Sequence, residues 1–128
     1  MGAGPLRRAA ALIGLAAALL PPLPADAHAV LVEASPPARA RLSRPPARVT
    51  LVFSERLEPA YARLWVSDDA GRRVDQGDVR VGSDDPRRLS VSLPPLPPGR
   101  YTVKYRVLSV DGHAVESSLT FTVTGRSP

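Results

Sequence analysis

The sequence predicts an all-β domain, an antiparallel β-sandwich with Greek-key connections and about seven strands. Three observations carry this. Apolar residues recur at every second position in several short runs, turn clusters rich in Pro, Gly, Asp and Ser separate those runs, and no stretch shows the longer period of an amphipathic helix. The 15 prolines and 9 glycines fall between the runs as punctuation, not as low complexity. No internal repeat and no second domain is visible.

In order, the expected strands begin with 29–33, closed by the turn at Ser35, Pro36 and Pro37. Val49, Leu51 and Phe53 alternate with Thr50, Val52 and Ser54. A strand over 63–67 follows and ends at Asp68, Asp69, Ala70 and Gly71. Leu89, Val91 and Leu93 alternate with Ser90 and Ser92, after a turn at 82–86. The proline-rich 94–99 stretch leads into Tyr101, Val103, Tyr105 and Val107, alternating with polar neighbours. Leu119, Phe121 and Val123 close the sheet pattern. Each run has one face for a core and one for solvent. Trp65 and Tyr105 are expected in that core.

The first 27 residues read as an address. Arg7 and Arg8 precede the uncharged run AAALIGLAAALL at 9–20, too short for the roughly 20 residues of a membrane span but right for a secretory h-region. Pro21 and Pro22 break it, and Ala25-Asp26-Ala27 supplies the small-x-small cleavage pattern. A signal peptide over 1–27, cut after Ala27, leaves His28 as the first residue of the working chain. The protein is then expected in the periplasm or outside the cell, not embedded in the membrane. Residues 125–128 are expected to be a frayed tail.

Composition excludes several classes. With no cysteine there is no zinc–thiolate site, iron–sulfur cluster, blue-copper thiolate or disulfide framework. The net charge is +5, and Lys104 is the only lysine. The basic residues are scattered in ones and twos, which argues against a nucleic-acid partner.

Two histidines remain after residue 27, His28 and His113. An N-terminal histidine closes a chelate ring on a metal through its α-amine and imidazole Nδ1. Such nitrogen donors suit copper(II), which prefers tetragonal nitrogen and oxygen coordination. His113 stands in Val110-Asp111-Gly112-His113-Ala114. Asp111 and His113 lie two apart, and Gly112 between them lets the backbone turn and brings the heads together. Asp-Gly is equally a hairpin-turn signal, and the residues alone leave both readings open. Glu55, by residue type alone, is a solvated strand-end carboxylate.

These residues together resemble the CopC family of exported bacterial copper-binding proteins. The resemblance spans most of 28–124. It rests on His28-Ala29-Val30-Leu31 with Ser35-Pro36, on Leu51-Val52-Phe53-Ser54-Glu55 and Glu58-Pro59-Ala60, on the run from Gly99 to His113 (GRYTVKYRVLSVDGH), and on Leu119-Thr120-Phe121-Thr122-Val123. It implies an immunoglobulin-like or cupredoxin-like Greek-key sandwich or barrel. It implies one copper(II) per chain held by His28, Asp111 and His113, with Glu55 as an outer carboxylate, and a carrier or sequestering role with a CopD-type inner-membrane partner. Some CopC proteins carry a methionine-built copper(I) site in mid-chain. Here the only methionine is Met1, and 66–78 (VSDDAGRRVDQGD) offers no sulfur, so the sequence resembles the single-site, copper(II)-only type. Tyr105 and Ser117 are smaller departures. Two other functions fit parts of the pattern: a copper redox enzyme of the monooxygenase type, which also uses an N-terminal histidine, and a metal-free immunoglobulin-like interaction module.

Overall fold

A computed structural model describes residues 29–125; the leader, His28 and residues 126–128 lie outside the described residues. Eight strands are described: β1 (Leu31–Ser35), β2 (Ala40–Leu42), β3 (Arg48–Phe53), β4 (Arg63–Ser67), β5 (Arg80–Val81), β6 (Arg88–Ser92), β7 (Gly99–Leu108) and β8 (Ala114–Val123). A single 3-10 turn, Pro59–Tyr61, links β3 to β4. The strands form two four-stranded sheets, β1-β3-β6-β5 and β2-β8-β7-β4. All pairings are antiparallel except β2 with β8, which is parallel. This is the expected all-β sandwich.

The alternation places the core as the sequence requires. Val49, Leu51 and Phe53 of the first sheet face Tyr101, Val103, Tyr105, Val107 and Phe121 of the second, all buried. Phe53 meets Tyr105 edge-on across the two layers at 5.4 Å between ring centroids, and within the second sheet Tyr101 stacks on its ladder partner Phe121 at 5.4 Å. The buried end of Tyr101 is satisfied by its hydroxyl donating to the Pro97 carbonyl at 2.5 Å.

Four details differ from the sequence expectation. β2 and β5 are additional strands, of 3 and 2 residues, too short to print a period-two signal. β1 runs from Leu31 to Ser35, two residues later than expected, and its register with β3 shifts at a bulge between Leu31 and Glu33. β8 begins at Ala114 rather than near 119. Residues 114–118 lack a strong apolar pattern, yet each pairs in unbroken register with the long strand β7, from Ala114 opposite Leu108 to Ser118 opposite Lys104. Trp65 is not a core residue: Leu64 and Val66 point inward, so period-two alternation turns Trp65, half-buried, to the outer face opposite Lys104.

The 66–78 stretch has a structural job. The side chain of Asp75 is closed off from solvent. Its carboxylate accepts the Val66 N–H at 2.9 Å, the Gly77 N–H at 3.0 Å and the Arg73 guanidinium at 2.9 Å through Nε and 2.9 Å through Nη2. The loop after β4 is thereby clasped back onto the strand. Burial pushes the Asp75 carboxyl up, but Arg73 and the two backbone N–H groups outweigh it and hold it below the ordinary value. A depressed native pKa stabilises the fold at pH above the unfolded value of about 3.9, and this contribution fades as pH falls through the native value. Asp75→Ala orphans the Val66 N–H and is expected to cost about 2–3 kcal/mol at pH 7. Urea melts of parent and variant check this, and the gap between them should narrow near pH 3. A gap that widens on acidification would contradict the clasp.

Candidate metal centre

The loop between β7 and β8 is a hairpin of five residues, Ser109 to His113, closed by the last ladder pair, Leu108 opposite Ala114. Its backbone folds on itself: the Ser109 N–H donates to the His113 carbonyl at 3.0 Å and the Gly112 N–H to the Ser109 carbonyl at 2.9 Å. Gly112 sits at φ 96, a left-handed conformation that residues with a Cβ adopt at a cost. Asp-Gly is therefore both the turn signal and the device that presents the side chains on either side of it.

Those side chains meet. The Asp111 Oδ1 lies 3.2 Å from His113 Nδ1 and accepts the His113 backbone N–H at 3.2 Å. The same oxygen accepts the hydroxyl of Ser109, which is 1% exposed. The Ser109 hydroxyl draws the Asp111 carboxyl below its ordinary value; burial opposes it, and hydrogen bonds from the His113 side chain and backbone add to the lowering. Asp111 is thus ionised at neutral pH and acts only as an acceptor. An ionised carboxylate beside an imidazole, both partly open to solvent, makes a nitrogen-and-oxygen donor pair for a divalent cation.

A short segment after β3 ties this hairpin to the start of the described chain. The Ser54 N–H donates to the Val30 carbonyl at 2.8 Å, and the Val30 N–H donates to the Ser54 hydroxyl at 2.9 Å. Two residues on, the Arg56 carbonyl accepts the Val110 N–H at 3.0 Å, Leu57 bridges to Ser109, and the Glu58 N–H donates to the Leu108 carbonyl at 2.9 Å. Val30 and Val110 therefore hang from one segment at anchor points two residues apart, a span of about 7 Å in extended chain. Ala29 is buried in the core.

Of the residues expected at a metal site, Asp111 and His113 are brought together, and Glu55 stands half-buried between the two anchor residues Ser54 and Arg56. His28 lies outside the described residues. Among the described residues no group of three or more His, Cys, Asp or Glu side chains gathers, and no helix is long and apolar enough to cross a membrane. Sequence reading missed Ser109 and Ser54. The signal available for Ser109 was a hydroxyl two positions before an Asp-Gly turn; for Ser54 there was none, since its partner is 24 residues away.

The CopC domain profile matches residues 31–124. Protein YobA of Escherichia coli K12 is 34% identical over 98 residues, covering 76% of this chain and 79% of that protein. Copper resistance protein C of Pseudomonas syringae pv. tomato is 32% identical over 124 residues, covering 92% of this chain and 98% of that one. The crystal structure of CopC from Methylosinus trichosporium OB3b superposes with a TM-score of 0.70 at 39% identity, over 79% of this chain and 98% of that one.

Proposed function

The chain belongs to the CopC family, and from that premise we propose that it is an exported copper carrier or sequestering protein of copper resistance or homeostasis, not an enzyme. It is cut after Ala27, works in the periplasm or outside the cell, and holds one copper(II) per chain as cargo. The ligands are the amine and imidazole of His28, the imidazole of His113 and the carboxylate of Asp111, with Glu55 as an outer carboxylate that orients them. A CopD-type protein of the inner membrane exchanges copper with it.

One observation carries this reading: Ser54 and Arg56 anchor Val30 and the Asp111–His113 hairpin side by side. In this reading His28, one Cα step of about 3.8 Å from Ala29, serves as a ligand beside the hairpin. The donors also fit the metal: an ionised carboxylate and imidazole nitrogen suit copper(II), and no sulfur follows Met1 to hold copper(I). In this reading Asp111 takes a coordination position that an oxygen-activating copper enzyme would leave open, which favours carriage over catalysis.

Competition titrations of point variants test the ligand set. Asp111→Ala is expected to weaken copper(II) binding about tenfold, one step of about 1.4 kcal/mol, because water replaces one oxygen donor. His113→Ala is expected to cost more, since it removes a nitrogen. Equal affinities for the parent and both variants would contradict the site. Copper(II) affinity should also fall on acidification through proton competition for the nitrogen donors, while Asp111, with its depressed pKa, stays ionised in mildly acidic solution. A pH-independent affinity from neutral to mildly acidic solution would contradict nitrogen ligation.

A further inference from the structure

Basic residues that are scattered in the sequence collect on one surface of the fold. In the second sheet Leu64, Val66, Tyr101, Val103, Tyr105, Val107 and Val115 point into the core. Alternation therefore sends Arg63, Arg100, Lys104, Arg106 and Glu116 to the outer face, and Arg41, between the inward Ala40 and Leu42, joins them. This face bears five cations against one carboxylate. Arg63 stands directly across the ladder from Arg106, a like-charged pair that costs stability.

The rest of the surface is different. The arginine ion pairs of the described residues, Arg72 with Asp68, Arg73 with Asp75, and Arg87 and Arg88 with Asp85, all lie within residues 68–88. None of the five cations on the sheet face has an ion-pair partner among the described residues. Arg63 donates only to the Ala60 and Ala62 carbonyls, which holds its guanidinium in place without neutralising it. Two aromatics border the charges: Trp65, half-buried opposite Lys104, and Tyr61, exposed at the lip of a cavity of about 190 Å³ that Arg63 and Arg106 also line.

We propose that this outer face rests on an anionic lipid bilayer. A cationic sheet face needs no close shape complementarity to a charged surface, and attraction acts over about 10 Å at ordinary ionic strength. Tryptophan and tyrosine at the border of such a patch suit the headgroup region. A single-stranded nucleic acid would call for several exposed stacking platforms among the cations, and this face offers one, Tyr61 at its border, with Trp65 half-buried. The hairpin 109–113 extends from the two central strands of this sheet, so the contact would hold the metal loop beside the membrane plane. The proposal stands apart from the copper reading, because the face contains no proposed ligand.

The test is vesicle sedimentation with protein recovered from exporting cells, its N-terminus read by mass spectrometry, with and without copper(II). Vesicles of phosphatidylglycerol mixed with phosphatidylcholine should bind the chain at low salt at least tenfold more tightly than pure phosphatidylcholine and release it in about 0.5 M salt. The double variant Lys104→Glu, Arg106→Glu should lose at least tenfold, as should Arg41→Glu, Arg100→Glu if the first pair disturbs folding. Arg48→Glu, Arg80→Glu removes the same charge from strands β3 and β5 of the other sheet and should change binding by less than about threefold. Equal losses from both faces, or equal uptake by neutral vesicles, overturns the proposal. So does release by inorganic phosphate but not by chloride at matched ionic strength, which marks a free-anion site, or tighter binding to duplex DNA lost in the same variants, which marks a nucleic-acid face. Copper dependence of the ligand variants remains readable whichever way this test falls.

Discussion

Adding one residue ahead of His28 is expected to weaken copper(II) binding by at least about a hundredfold, two steps of about 1.4 kcal/mol each. The reason is chemical. A terminal histidine offers amine and imidazole from one residue, with the ring closure already made by its own covalent bonds, so little further ordering is needed. Extension converts the amine to an amide, which is not a donor in its neutral form, and leaves one mid-chain imidazole. Extension removes the amine and with it the chelate ring of the proposed site, whereas His113→Ala removes one imidazole and Asp111→Ala one oxygen, each leaving that ring intact. The fold should be untouched, because Ala29 remains buried and the Val30 bonds to Ser54 remain in place. The measurement is a competition titration of extended and parent chains, with matched thermal melts showing that both are folded.

The largest expected loss of stability is at Phe53. Its ring is closed off from solvent, packs edge-on against Tyr105, and ends β3 opposite Leu31. Phe53→Ala is expected to cost about 3–5 kcal/mol, from lost burial and the cavity left behind. For a domain this size that lowers the melting temperature by more than about 10 °C. The effect reaches the metal end as well, because Ser54, the next residue, holds Val30. Urea denaturation checks the prediction; a loss below about 1 kcal/mol would mean that the two sheets do not meet through this ring.

Strands with strict alternation were legible because burial writes itself into a period of two. Val49 to Phe53 and Tyr101 to Val107 show this, each with its apolar members inward. β2 and β5 were not, since they exist by pairing with neighbours and not by their own pattern. Trp65 misled because its size suggested a core, whereas its phase in β4 decides its face. At the proposed metal end, the meeting of Asp111 and His113 was legible from local spacing, for only Gly112 separates them. The nearness of the chain start to that hairpin was not, because it depends on backbone bonds from Ser54 and Arg56 to residues far away in sequence. The cationic sheet face was illegible for the same reason: Arg63 comes to face Arg106, and Arg41 and Arg100 come to flank Thr122, only through the ladder.

The proposed site holds a single copper(II) between His28 and the 109–113 hairpin. Electron paramagnetic resonance of the exported chain, titrated with copper(II), tests it most directly. The account predicts one tetragonal signal with nitrogen coupling that saturates at one copper per chain and loses coupling in the His113→Ala variant. A signal that keeps growing past one equivalent, or one unchanged by His113→Ala, would contradict it.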